Sequence, residues 1–371
     1  MTKVMTVVGT RPEIIRLSQV LKRLDEAVDH VLVHTGQNYD YALNEVFFDE
    51  LGLRPPDHLL KVDTSSLGRV LGEVLIKTEE VILEERPDAL LVLGDTNSSV
   101  AAVMAKRLRV PVYHMEAGNR CFDENVPEET NRRMVDHVAD FNLVYTEHAR
   151  RNLLAEGLHP RRILKTGSPM PEVLTAFADG IQNSDVLNRL SLTRGEYFLV
   201  SAHREENVDD VVRLGALLDC LERVQTSFAR PVLVSTHPRT RLRLDSLDRR
   251  IDGVTFHEPL GFLDYNNLQL NAFCVLSDSG TISEESSVLG FPAVTLRDSI
   301  ERPEALDTGA IVMTGLDADN VEEAVTLVTS RTGSGVSVPE DYQIINCSER
   351  VVSFIMSTHR RHHQWAGIRA R

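Results

Sequence analysis

Residues 4–27 read VMTVVGTRPEIIRLSQVLKRLDEA. Val4 to Val8 form a short apolar, β-branched run, and Gly9 and Thr10 interrupt it. From Pro12 onward the apolar residues recur at helical spacing, and proline suits the first helical position. The stretch therefore reads as a strand that turns on a glycine straight into a helix. The next run, HVLVHTGQNYD at 30–40, returns to a strand pattern. Strands separated by helices of this length predict a parallel sheet with crossover helices. Continuously apolar strands predict that both faces of that sheet are covered.

The same unit recurs along the chain. The first half continues with ALLVLGDTNS (89–98), VYHMEAGNR (112–120), FNLVYTE (141–147) and RILKTGSP (162–169). The second half repeats it with YFLVSAHREEN (197–207), PVLVSTHPR (231–239), VTFHEPLG (254–261), FCVLSDSGT (273–281) and PAVTLRDS (292–299). SLGRVLGEVLIKTEEVILEER (66–86) has helical spacing. Two such sets predict an α/β chain of two doubly wound, Rossmann-like domains. The expected boundary lies near Pro169 and Pro171, which gives an N-terminal domain at 1–168 and a second domain at 169–351. Ligands of open α/β sheets bind at the carboxyl ends of the strands. Every charged turn quoted above falls at such an end, so the expected site is a cleft between the two domains.

Bulk composition narrows the function. The 371 residues are 42% hydrophobic and 26% charged, as in globular proteins. No apolar run approaches the roughly 20 residues that a membrane helix needs. The four cysteines, Cys121, Cys220, Cys274 and Cys347, are widely spaced. That spacing fits neither a disulfide framework nor a zinc knuckle and suggests a reducing cytoplasm. A net charge of −15 disfavours nucleic acid and anionic lipid as partners. An anionic ligand would need a locally positive pocket.

Two turns read as anion cradles. Gly9, Thr10 and Arg11 open one helix, where backbone amides and a guanidinium suit phosphate, and Arg16 follows one turn later. Ser279, Gly280 and Thr281 open another, with Glu284 or Glu285 placed to hold ribose hydroxyls and with Arg297, Glu301 and Arg302 downstream. Acidic side chains gather between the cradles in sequence. Asp95 and Glu116 end neighbouring strands, and Glu128 and Glu129 begin a helix. Carboxylates crowded together raise one another's pKa, which lets an acid and a base coexist near neutrality. His203 with Arg204, and His237 with Arg239, end strands of the second half. A histidine there binds phosphate or moves a proton. Asp95, His114 and Glu116 lack tight metal-ligand spacing, so no metal is expected. No G-x-G-x-x-G follows a strand, so no bound NAD is expected.

Seven segments in order resemble the non-hydrolysing UDP-N-acetylglucosamine 2-epimerase family. They are VMTVVGTRPEIIRL, LVLGDT, HMEAG, VPEETNR, AHREEN, LSDSGTISEES and RDSIERPEA. The resemblance implies a GT-B fold, a cytoplasmic homodimer, and a reaction without metal or cofactor. It implies that Asp95, Glu116 and Glu128 are the acid/base carboxylates and that His203 lies at the diphosphate. Arg11, Arg16, Ser279, Gly280, Thr281 and Arg302 would contact UDP, and Glu285 would contact the ribose. A C-terminal helix over about 352–371 would pack back on the first domain. Relatives usually carry lysine at the place of Arg16, threonine at Asn97, leucine at Asn119 and glycine at Thr281. The segment 34–48 also departs from a pattern that some relatives use for activation by their substrate. These departures resemble the branch that converts UDP-2-acetamido-2,6-dideoxy-L-talose to UDP-N-acetyl-L-fucosamine for capsule and O-antigen. Interconversion of UDP-N-acetylglucosamine and UDP-N-acetylmannosamine is the alternative, and a GT-B glycosyltransferase is the second.

Overall fold

The structure is a computed structural model describing residues 1–37, 48–236, 240–241, 243–244, 249–331 and 337–369. The chain divides into two compact units, one made of Met1–Thr175 with Ile344–Arg371 and the other of Ala176–Gln343.

The first unit is built on a seven-stranded sheet in the order β3-β2-β1-β4-β5-β6-β7. Its strands are β1 (Lys3–Val8), β2 (Asp29–His34), β3 (His58–Leu59), β4 (Ala89–Leu93), β5 (Val112–Met115), β6 (Phe141–Val144) and β7 (Ile163–Lys165). Every pairing is parallel, with Met5 opposite both Val31 and Leu90. Val4 to Val8 are all buried, as the unbroken apolar run predicts. Met5, Val7, Val31, Val33, Leu90 and Val92 form one core face with Val70, Val74 and Val81 of the Leu67–Glu85 helix.

The second unit carries a six-stranded parallel sheet in the order β10-β9-β8-β11-β12-β13. Its strands are β8 (Phe198–Ser201), β9 (Val232–Ser235), β10 (Val254–His257), β11 (Cys274–Ser277), β12 (Ala293–Thr295) and β13 (Val312–Met313). Phe198 and Val200 pack with the Val211–Phe228 and Ala318–Thr329 helices. Tyr197 and Leu199 pack on the opposite face with Leu268 of the Phe262–Asn271 helix. Alternate side chains of one strand thus feed two cores.

Both sheets reverse strand order once, between β1 and β4 and between β8 and β11. The outermost strands β3 and β13 were not expected, because two residues leave no periodicity to read. Pro169 and Pro171 do not end the first unit. Pro169 leads into a helix, Met170–Ala176, and Pro171 stands in its first turn. Its Glu172 accepts hydrogen bonds from the Ser348 amide (2.8 Å) and hydroxyl (2.5 Å). The C-terminal helix spans Cys347–Trp365, starting five residues before position 352, and contacts the Arg11–Ala27 helix. Among the described residues, no helix is long and apolar enough to cross a membrane.

Candidate active site

The two strand-order reversals sit where the sequence places its chemistry. In the first unit, Gly9 follows β1, Asp95 follows β4 by one glycine, and Glu116 follows β5 directly. The turns after β4 and β5 are stitched together. The Gly94 amide donates to Met115 O at 2.9 Å, and His114 Nε2 donates to Gly94 O at 2.7 Å. His114 Nδ1 lies 2.9 Å from Asp136 Oδ1, so both ring nitrogens are engaged.

Glu116 adopts a left-handed backbone, φ +65°, and is 6% exposed. For a residue with a Cβ that conformation is costly and clusters at functional sites. Its carboxylate lies over Gly94, where an added Cβ would stand 3.7 Å from Oε2. Gly94 itself needs a positive φ of +69°. A side chain would fit in that space, so it is the backbone conformation that calls for glycine.

The acidic residues are interleaved with arginines, which is a correction to the expectation of carboxylate crowded against carboxylate. Arg16 Nη1 pairs with Glu116 Oε2. Arg132 Nε donates to Asp95 Oδ2 at 2.7 Å, and its Nη1 donates to Glu129 Oε2 at 2.9 Å. Glu129 is buried and also accepts from the Cys121 amide at 3.2 Å. Burial pushes its carboxyl up, but hydrogen bonds from Cys121 and Arg132 outweigh that and hold it below the usual range. Glu129 is therefore structural. Glu128, half-buried at the start of the Glu128–Val138 helix, forms no hydrogen bond or ion pair among the described residues.

The first anion cradle differs from the expectation. Glu13 Oε2 accepts from the amides of Gly9 (3.0 Å) and Thr10 (2.7 Å), and Ser98 Oγ donates to Oε1. Burial pushes the Glu13 carboxyl up against the pull of those donors. The amide part of this cradle is filled from within the chain, leaving the half-buried side chains of Arg11 and Arg16 as its cations.

In the second unit, the Asp278 carboxylate is fully buried and organises the turns after β8 and β11. It accepts from the amides of His203 and Arg204, each at 3.1 Å, and from Asn207 Nδ2 at 3.0 Å. His203 is left with its side chain 48% exposed beside Asp278. Ser279 Oγ and Thr281 Oγ1 are 2.9 Å apart. A Cβ on Gly280 would collide with Glu301 Oε1, so a larger residue there would have to displace a carboxylate that Arg204 and Arg297 hold. Arg302 is buried and donates to Gly280 O (2.7 Å) and Glu284 Oε2 (3.0 Å). It props the turn from behind. Glu284 is buried in that pair, whereas Glu285 is half-buried and accepts from Gln269 Nε2 at 2.6 Å. Of the two glutamates, Glu285 is the one open to a ligand. His237 and Arg239 lie outside the described residues, as do positions 38–47 of the segment 34–48.

Arg132, Asp278 and Glu13 were missed as organisers by the sequence reading. Arg132 stands one helical turn after Glu128, a spacing that puts both on one face. Asp278 ends the strand of LSDSG just as Asp95 ends that of LVLGDT.

The chain matches the family model described as UDP-N-acetylglucosamine 2-epimerase over residues 22–356. It is 35% identical over 361 residues to the UDP-2,3-diacetamido-2,3-dideoxy-D-glucuronate 2-epimerase of Pseudomonas aeruginosa, covering 95% of this chain and 99% of that protein. Among solved structures it is similar to a UDP-N-acetylglucosamine 2-epimerase from Rickettsia bellii, with 45% identity, a TM-score of 0.91 and 98% of each chain covered. It is also similar to the Methanocaldococcus jannaschii UDP-GlcNAc 2-epimerase in complex with UDP-GlcNAc and UDP. That match has 33% identity and a TM-score of 0.90, with 96% of this chain and 100% of that one covered. The two parallel-sheet α/β units thus have the GT-B-type fold of these enzymes.

Proposed function

The chain belongs to the UDP-N-acetylglucosamine 2-epimerase family, and on that premise we propose which sugar it takes and how its residues share the work. It is a non-hydrolysing isomerase acting at C-2 of a UDP-N-acetyl sugar. The substrate we propose is UDP-2-acetamido-2,6-dideoxy-L-talose, and the product is UDP-N-acetyl-L-fucosamine. The departures at Arg16, Asn97, Asn119 and Thr281 support this choice over UDP-N-acetylglucosamine. Asn119 carries further weight because it lies buried within the Glu116 loop, not on the surface.

The hydrogen on C-2 is not next to a carbonyl, so the chemistry proceeds by elimination. A carboxylate removes the C-2 proton while the bond from C-1 to the diphosphate oxygen breaks. The electron pair of that bond departs with UDP, and a glycal with a C-1 to C-2 double bond remains. A proton then returns to C-2 from the other face and UDP re-adds at C-1. Asp95, Glu116 and Glu128 supply the acid and base. Arg11, Arg16, His203 and the Ser279–Gly280–Thr281 turn hold the diphosphate, Arg302 supports that turn, and Glu285 takes the ribose. The observation that carries this reading is the pairing of Asp95 and Glu116, at adjoining strand ends, with Arg132 and Arg16. A carboxylate that must exchange a proton beside a departing diphosphate, which gains negative charge as the bond breaks, needs cations at hand.

The reading includes a cytoplasmic homodimer. All four cysteines are buried and unpaired, which suits a reducing compartment. Sedimentation at twice the chain mass is the expected result. The substrate is tested by NMR of both candidate UDP-sugars incubated separately in heavy water. Inversion and deuterium uptake at C-2 of the 6-deoxy sugar are expected to be faster. Faster turnover of UDP-N-acetylglucosamine would sink the substrate choice.

A further inference from the structure

Phe122 combines two unfavourable features. The residue is 71% exposed, and its backbone is left-handed with φ +55°. A large residue with a Cβ rarely adopts that region without enforcement. Here it is enforced from both sides. Before it, the Cys121 amide is held by Glu129, and Cys121 Sγ lies 3.3 Å from Glu129 Oε2 and 3.5 Å from Arg132 Nη1. After it, Asp123 closes a turn by accepting from the Asn125 amide at 2.9 Å and, through its carbonyl, from the Val126 amide at 3.2 Å. The loop is pinned, and the ring is presented to solvent by design of its neighbours.

The loop's position is equally specific. It begins at Glu116 and ends at Glu128, and the arginine that touches Cys121 is the one that holds Asp95. Phe122 therefore sits on the loop that joins two of the three carboxylates, one residue past the cysteine that touches the arginine holding the third. Covering an exposed aromatic ring removes apolar surface from water, and a backbone pinned in advance makes that contact without further ordering cost. A hexose offers an apolar C–H face, and a 6-deoxy hexose adds a methyl at C-6.

We propose that Phe122 is a substrate-contacting residue that packs on the C–H face of the bound hexose and shields C-1 from water while UDP is detached. The inference rests on the elimination chemistry proposed above. Its consequence is that Phe122 governs how often the glycal and UDP escape before they recombine.

The test compares the full-length enzyme with Phe122→Ala, Phe122→Leu and Phe122→Gly. The measured quantities are kcat/KM for C-2 inversion, free UDP plus glycal released per inversion, UDP affinity by calorimetry, and Tm. Phe122→Ala should lose roughly tenfold in kcat/KM and leak several times more UDP and glycal in equal amounts. UDP affinity should stay within about twofold, and Phe122→Leu should restore most of the retention. Phe122→Gly should leak like alanine while raising Tm by about 2 °C, because glycine adopts a positive φ without strain. Wild-type leakage and kcat/KM in Phe122→Ala would overturn the proposal. So would a loss of UDP affinity or a change of oligomeric state that accounts for the whole effect. If the wild-type enzyme inverts only UDP-N-acetylglucosamine, the substrate choice fails, and the leakage comparison on that sugar still decides the role of Phe122. If no deuterium enters C-2 of either sugar, the elimination reading and this proposal fall together.

Discussion

Asp95, Glu116 and Glu128 differ in what surrounds them, and that difference sets what each substitution should do. Asp95 and Glu116 each face a guanidinium, whereas Glu128 faces none among the described residues. Asp95→Asn, Glu116→Gln and Glu128→Gln keep the shape and remove the exchangeable charge. Each should abolish deuterium uptake at C-2 while UDP still binds. Retained exchange in all three would remove the acid/base assignment. Asn119 makes a separate argument. Its side chain is 4% exposed, and Nδ2 finds no hydrogen-bond partner among the described residues. A buried donor left unsatisfied costs about 1–3 kcal/mol. Asn119→Leu should therefore raise Tm, and it should shift the kcat/KM ratio towards UDP-N-acetylglucosamine. A melting curve and a two-substrate competition check both parts. A lower Tm would mean that the amide is satisfied in solution.

The Glu128–Val138 helix shows how one element can hold a site together. Its Arg132 reaches back to Asp95 on the turn after β4 and down to Glu129 on its own first turn. Removing a buried cation strands its carboxylate partners, at a cost of about 3–5 kcal/mol. Arg132→Met should therefore destabilise the first unit by that order, read as a lower melting transition. Arg132→Lys keeps the charge but loses the two-pronged geometry, so it should cost more activity than stability. A fold and activity both untouched by Arg132→Met would show that the link carries nothing. At this scale, strand ends were legible and side-chain reach was not. The apolar runs placed Asp95, Glu116, His203 and Ser279 at the ends of strands, because strand length is written in local pattern. The pairings of Arg132 with Asp95 and of Arg16 with Glu116 join residues far apart in sequence, and a single sequence carries no trace of them. Glu13 lies between these cases. Thr10 and Glu13 stand at capping-box spacing, so the filling of the Gly9–Thr10 amides by Glu13 had a signal. The competing reading of GTRPE as a phosphate turn obscured it. Edge strands β3 and β13 were illegible for want of length.

The first unit is closed by the end of the chain. The Cys347–Trp365 helix buries Val351, Val352 and Ile355. Phe354 meets the rings of Tyr113 and Phe141 edge-on at 6.1 and 5.3 Å, and Thr358 is 2.7 Å from the Tyr113 hydroxyl. Each apolar side chain buried there contributes about 1.5–3 kcal/mol, so the helix supplies a share comparable to the whole stability of a domain. A chain ending at Gln343 should lose hydrogen-exchange protection in β5 and β6 while β8 and β11 keep theirs. Equal protection in both would refute this division of labour. The first unit also responds to acid. With a net charge of −15, falling pH relieves self-repulsion and should favour compact states. Three buried histidines of the first unit oppose this. Burial holds His34 down to about 4, and it likewise lowers His30 and His362. The unfolded chain binds protons at these rings below about pH 6.5, and the folded unit does not. Unfolding thus takes up protons, so stability falls as pH falls through that window. His34 alone accounts for up to about 1.4 kcal/mol per pH unit between 6.5 and 4. The transition of the first unit should therefore move to lower temperature between pH 6.5 and 4.5. His34→Gln should flatten that slope, and a wild-type transition that does not move over this range would mean that the histidines titrate while folded.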